Sequence, residues 1–368
     1  MAASITPPII DADGHVVEPS DVWAEITEDA RRWIPTPVVE GDHFFFRSGE
    51  HESFRMRARP ESLSSPRGQG ERSGAGQPAV GAADPKARLS DMDLDGISQA
   101  VVFPTYGLMV QAIPERRVQL ALCRAINDWV ADYCHVEPNR LFGMGVLPQT
   151  GAEDALTEAR RCLERLDLRG VWRRPERIDG TAALHDATYE PLWSYLAEAD
   201  RPFALHPGLN GVVPAAELRT RFDDDYSTMH AVHFPMEQMM GLTDLIGFGV
   251  LDRHPTLRVA FLESGATWAL AQLHRLDEHL ELFGLPHTPS EKPSEQFRRQ
   301  GFVSVEEVEP GLESTLAAYP ESIVFASDYP HGDGVFPGST TELLETDRLD
   351  ESQRGAVLAG NARRLYGL

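Results

Sequence analysis

Ile9-Ile10-Asp11-Ala12-Asp13-Gly14-His15 near the start and Phe325-Ala326-Ser327-Asp328-Tyr329-Pro330-His331 near the end share one pattern. Each is an apolar, strand-like run that terminates in carboxylate and imidazole, the hard oxygen and borderline nitrogen donors that hold a divalent metal. Two such clusters at opposite ends of the chain predict one closed barrel.

Working inward, six more short apolar runs dense in Val, Ile and Phe read as strands. They are Ile97 to Pro104, Leu141 to Pro148, Leu168 to Arg173, Pro202 to His206, Leu257 to Ser264 and Gly301 to Val305; the terminal pair, Ile9 to Val16 and Ile323 to Ser327, brings the number to eight. Amphipathic stretches with apolar positions three and four apart lie between them: Arg116 to His135, Ala152 to Leu166, Pro191 to Ala199, Trp268 to Phe283 and Glu309 to Ala318. Eightfold alternation of strand and helix predicts an α/β fold, a (β/α)₈ TIM barrel with its site at the C-terminal ends of the strands. A doubly wound open sheet competes, but no Gly-rich phosphate loop follows the first strand and polar clusters end several separate strands.

The 368 residues, 42% hydrophobic and 25% charged, suffice for one barrel over 1–368. Two stretches depart from the alternation. Residues 38–90 contain Phe44-Phe45-Phe46 and Ser53-Phe54-Arg55-Met56-Arg57, which alternate like a hairpin, followed by a Ser/Gly/Pro/Arg-rich stretch expected to be a mobile loop. Residues 208–250 join an acidic turn at Asp223-Asp224-Asp225 to the apolar run Phe234 to Leu242. Following the first and fifth strands, both would overhang the barrel mouth as a lid; ordinary surface loop and barrel helix is the other reading.

With 57 acidic against 34 basic residues, a net charge of −23 argues against nucleic acid and anionic membranes as partners, leaving a small-molecule substrate. Cys123, Cys134 and Cys162 show no metal spacing and read as core residues. With no signal-peptide pattern and no apolar run of about 20 residues, the expected location is the cytoplasm.

The chemistry sits at the strand ends. Asp13 and His15, two apart on a strand, share a face and can converge on one ion, and Asp11 lies on that face too. A solvated turn or a calcium-loop fragment is the alternative, but His15 stands where such a loop needs its third oxygen. His206, before Pro207-Gly208, presents imidazole at the core edge as a ligand or as a core histidine satisfied by a carbonyl. Glu263 ends an apolar strand, where an isolated carboxylate needs a cation or a proton; capping the next helix would also use it. Asp328 can bind the ion or take a proton from its water, and His331 can polarise a substrate or add a ligand, although Pro and Gly also make a turn here.

These residues, with Gly360-Asn361-Ala362-Arg363-Arg364-Leu365-Tyr366-Gly367 at the close, resemble the amidohydrolase superfamily, in particular the amidohydrolase 2 branch that includes aminocarboxymuconate-semialdehyde decarboxylase. The resemblance covers nearly the whole chain. It implies a (β/α)₈ barrel with Asp13, His15, His206 and Asp328 around a divalent metal, and a homodimer. Two departures stand out: Asp13 replaces the first histidine of the usual His-x-His, and Glu263 replaces a histidine of the decarboxylases. The first makes the site more anionic and favours Fe or Mn alongside Zn; the second removes an expected catalytic imidazole.

Hydrolysis of an amide, ester or thioester by a metal-activated water is therefore the first expectation. Asp328 would receive the water's proton, Glu263 would act as base or bridge a second ion, His331 would stabilise the oxyanion or protonate the leaving group, and Asp11 would orient the ligands. One or two ions fit this set. The apolar lid suits a bulky acyl group, and Arg55, Arg57, Arg59, Arg67 and Arg72 either meet an anion such as a coenzyme A thioester or form a solvated surface. The alternatives are a nonoxidative decarboxylase of an aromatic or dienoic acid and a non-catalytic metal-binding barrel.

Overall fold

In the computed structural model, which describes residues 8–41, 43–53, 55–57, 80–178, 180–208, 215–332 and 334–368, eight parallel strands run in sequence order around one nearly closed barrel. They are β1 (Ile9–Val16), β2 (Ile97–Pro104), β3 (Leu141–Val146), β4 (Gly170–Arg173), β5 (Phe203–Leu205), β6 (Val259–Phe261), β7 (Gly301–Val305) and β8 (Ile323–Phe325). Nearly every strand residue is buried, because helices cover the outer face while side chains fill the interior; continuous apolar runs, rather than alternation, are what such strands require. β1 and β8 are joined just past the end of β8: the amide of Asp328 donates to the carbonyl of Asp13 (3.1 Å) and that of His15 to the carbonyl of Tyr329 (2.6 Å).

The helices used below are α1 (Pro85–Leu94), α2 (Arg116–His135), α3 (Ala152–Glu164), α4 (Glu190–Glu198), α5 (Tyr226–Gly247), α6 (Thr267–Phe283) and α7 (Leu312–Ala318). α2 buries Val118, Leu122, Ile126 and Val130, one stripe at i, i+4 spacing, against the barrel. It and α3 come so close to β3 that side chains there are excluded: a Cβ on Gly143 would stand 2.6 Å from Val130, and one on Gly145 2.6 Å from the Cys162 sulfur. The three cysteines are free and buried. The last predicted helix begins at Leu312 rather than Glu309, since Pro310-Gly311 intervenes and Gly311 has φ +88°.

The segment after β1 forms an antiparallel hairpin, Thr36–Glu40 with His43–Ser48, to which His51–Glu52 and Met56–Arg57 also pair. Arg55 is engaged there by Glu40 and Glu52 and lies over the Phe45 ring. Arg59, Arg67, Arg72 and most of the Ser/Gly/Pro/Arg-rich stretch lie outside the described residues. Beyond β5, Arg219 of the helix Ala215–Arg221 donates to the carbonyls of Glu52 (2.9 Å) and Ser53 (3.1 Å), so the two departures from the barrel pattern meet each other. Among the described residues, no helix is long and apolar enough to cross a membrane.

Candidate metal centre

The three shortest strands stop before their polar residues. β5 ends at Leu205, β6 at Phe261 and β8 at Phe325, so His206, Glu263 and Asp328 project from the C-terminal rim, the first turns beyond the ladder. Glu263 (φ +53°) and Asp328 (φ +50°) adopt left-handed backbone, which costs an L-residue about 1–2 kcal/mol and persists only where the surroundings impose it.

Asp13, His15, His206, Glu263, Asp328 and His331 form one contiguous cluster. Nε2 of His15 and Nε2 of His206 are 3.1 Å apart. Asp13 places Oδ1 3.7 Å from the first nitrogen and Oδ2 3.6 Å from the second. Asp328 Oδ1 lies 3.5 Å from His15 Nε2, and Glu263 Oε2 3.2 Å from His206 Nε2. His331 stacks on His15 with ring centroids 3.9 Å apart, holds Asp328 Oδ1 at 2.9 Å through Nδ1, and meets the Thr105 hydroxyl at 3.1 Å through Nε2. Its side chain, 19% exposed, is the outermost of the six.

Asp11 stands apart. A bulge between Asp11 and Gly14 breaks the alternation on β1, and the Asp11 carboxylate turns to β8, accepting from the amide (2.9 Å) and hydroxyl (2.6 Å) of Ser327. Buried Arg88 of α1 reaches Asp11 Oδ2 (3.5 Å) and the carbonyls of His15 (3.0 Å) and Tyr329 (3.4 Å). It passes so close to Gly14 that a Cβ there would lie 2.3 Å from its guanidinium.

Electrostatically the cluster is a set of lone pairs. The Nδ1 of His206 faces the carbonyl of Pro207 at 2.9 Å, so it carries the proton and Nε2 presents a bare lone pair. Burial pushes the His206 imidazole down to about 3 and holds that of His15 well below its ordinary range, with His331, His206 and Arg88 adding to the effect on His15. Burial, and then the charges of Asp11 and Glu306, push the Asp13 carboxyl well up. Phe103 and Trp172 close the floor beneath the imidazoles.

A divalent cation fits this donor set. Asp13 Oδ1 is buried and makes no hydrogen bond. Two nitrogens each about 2.0–2.1 Å from one ion stand roughly 3 Å apart, the separation of the two Nε2 atoms. A second buried group, Glu176, His233 and Glu237, has comparable spacing. There the Arg174 guanidinium, 2.8 Å from Glu176 Oε2 and 3.2 Å from Glu237 Oε1, supplies the positive charge.

Over residues 10–368 the chain matches the amidohydrolase 2 family profile. It belongs to the amidohydrolase family. The chain is 25% identical over 295 residues to gamma-resorcylate decarboxylase of Rhodococcus jostii strain RHA1, covering 76% of this amidohydrolase and 87% of the relative. A crystal structure of an amidohydrolase from Mycobacterium avium subsp. paratuberculosis K-10 superposes with a TM-score of 0.77 at 20% identity, covering 99% of this chain and 100% of that one. A dihydroxybenzoic acid decarboxylase from Polaromonas sp. JS666, with bound manganese and the inhibitor 2-nitroresorcinol, gives a TM-score of 0.69 at 17% identity, covering 99% and 98%.

Sequence reasoning missed Thr105, Arg88, Glu306 and the Arg174 group. Glu306 was detectable, since β7, like its neighbours, ends in a carboxylate. Thr105 and Arg88 act across 226 and 73 residues of chain and carry no local signal.

Proposed function

We propose that this amidohydrolase is a nonoxidative, divalent-metal-dependent decarboxylase of an aromatic carboxylic acid. The observation that carries the reading is the family match over residues 10–368, together with likeness to gamma-resorcylate decarboxylase and to the manganese-bound dihydroxybenzoic acid decarboxylase. This replaces the expectation of hydrolysis as the first choice: the loss of one imidazole at Glu263 weighs less than likeness over 76% of the chain.

Asp13, His15, His206 and Asp328 would hold the ion, with Mn²⁺ suited to two carboxylates and two imidazoles. When bound, the metal supplies Lewis acidity toward the substrate's oxygens. The chain's own residues supply the rest. Decarboxylation breaks the bond between ring carbon and carboxylate, releases CO₂, and leaves the electron pair on a ring carbon that must take a proton. His331 is positioned to deliver it from Nε2, with Asp328 fixing the ring through Nδ1 and Thr105 holding Nε2 until substrate displaces its hydroxyl. Phe46 packs 5.7 Å from Tyr106, next to Thr105, and Phe44 5.1 Å from Phe46; these half-buried rings would form one wall for an aromatic substrate. The hairpin and the helix Ala215–Arg221, tied through Arg219, would act as the lid.

Glu263 keeps a second reading open: a carboxylate 3.2 Å from a candidate ligand could take the proton of an attacking water, as hydrolysis requires. The test is product detection with Mn²⁺-loaded protein on hydroxylated benzoates and on hydrophobic esters and thioesters. CO₂ from the benzoates supports decarboxylation; free acid from the esters alone supports hydrolysis.

A further inference from the structure

In the middle of α5 the adjacent side chains of Glu237 and Gln238 are buried against the barrel and reach three strand ends. Glu237 accepts from Arg174 Nε (3.2 Å), from Arg174 Nη2 (3.3 Å) and from the amide of Glu176 (3.1 Å), holding the chain just past β4. The Nε2 of Gln238 donates to the carbonyls of Leu205 (2.9 Å) and Leu262 (2.8 Å). Leu205 directly precedes His206, and Leu262 directly precedes Glu263. Both α5 residues are fully buried.

The carbonyls that Gln238 holds lie one residue before the cluster, where the His206 amide also donates to the carbonyl of Arg173 at 3.2 Å. β5 and β6 are three residues long, and their ladder is extended by a single bond, from the Leu262 amide to the Leu205 carbonyl at 3.1 Å. Immediately afterwards Glu263 turns into left-handed backbone, its amide held at 2.9 Å by the hydroxyl of Ser304 on β7. A short ladder followed by an unfavourable φ does not by itself keep two side chains 3.2 Å apart. Gln238 on one side and Ser304 on the other supply that constraint.

We infer that Gln238, with Ser304 opposite it, is a positioning residue: the two fix the strand end that carries the ligand His206 against the strand end of Glu263 and thereby tune metal affinity. The inference rests on the metal-centre reading above. Partners that orient ligands from outside the coordination sphere change metal affinity by about 10- to 100-fold when removed, and Gln238 orients two strand ends at once.

The test is a Mn²⁺ competition titration of the full chain against a chelator, paired with thermal unfolding of metal-free protein. The variants are Gln238→Met, which keeps volume and loses both bonds, and Ser304→Ala. Thr243→Val serves as control: among the described residues its hydroxyl bonds Met239 and Gln272 and no strand end, so the change loosens α5 without touching one. Weakening of Mn²⁺ binding by about tenfold or more in Gln238→Met, with Thr243→Val unchanged, supports the inference. Should Gln238→Met not fold, Ser304→Ala carries the same expectation, a weakening of several fold. If both variants that fold bind Mn²⁺ within twofold of wild type and lose only metal-free stability, the residues are structural and the inference is overturned. If wild type itself takes up no stoichiometric Mn²⁺, the metal-centre reading falls and the inference with it.

Discussion

Glu18 provides a measurable consequence of burying a carboxylate beside the site. It is 3% exposed and accepts from the amides of Tyr106 (3.0 Å) and Gly107 (3.2 Å), fixing the turn that carries Thr105. Burial pushes its pKa from 4.5 up to about 7, against the lowering effect of those amides. A raised carboxyl binds its proton more tightly in the folded chain than in the unfolded one. Its stabilising contribution is therefore complete below about pH 4.5 and is lost as pH rises through about 7. At about 1.4 kcal/mol per pKa unit the whole effect is about 3 kcal/mol, of which about 2–3 kcal/mol falls between pH 5 and 8.5. In Glu18→Gln the new side chain cannot titrate, yet its amide oxygen still accepts one of the two bonds. In urea unfolding of metal-free wild type and Glu18→Gln across that range, wild-type stability should drop relative to the variant by that amount as pH rises. A difference that stays flat with pH, or a wild type that gains on the variant as pH rises, would refute the reasoning.

Other perturbations have equally defined outcomes. Arg88→Met leaves buried Asp11 without its guanidinium and takes that donor from the carbonyls of His15 and Tyr329, and should cost about 3–5 kcal/mol by urea denaturation. Gly143→Ala drives a methyl into Val130 of α2 and should cost about 1–3 kcal/mol in the same assay, with metal content unchanged. His331→Ala should lower kcat by about 10²–10⁴ while Mn²⁺ content stays at the wild-type level, since the proton carrier and not an ion ligand is removed. Stripping metal with a chelator should lower Tm, and free Mn²⁺ at about 100 times its Kd should restore about 2.7 kcal/mol of stability.

The barrel was legible because buried parallel strands must be continuous apolar runs and because polar residues recur where those runs stop. His206, Glu263 and Asp328 were visible for the same reason, each ending a stretch of Val, Ala, Leu or Phe where an unpaired polar group would be costly. What was not legible depends on chain distant in sequence. Asp11 looked like a neighbour of Asp13 by alternation, but a bulge turns it to Ser327, and no residue type announces a bulge at Ala12-Asp13. In the sequence Gln238 lies inside the apolar run Phe234 to Leu242; only the closed sheet shows that it spans two strand ends. The choice of reaction was harder still. Glu263 for an imidazole argued toward hydrolysis on local chemistry, whereas likeness spread over hundreds of residues argues for decarboxylation.

The central claim is tested most directly by following CO₂ from Mn²⁺-loaded protein incubated in D₂O with hydroxylated benzoates. The account predicts metal-dependent release of one CO₂ per substrate, with one deuterium placed on the ring carbon that held the carboxylate. Stoichiometric Mn²⁺ with no CO₂ from any aromatic acid, alongside metal-dependent release of free acid from an ester or thioester, would contradict it.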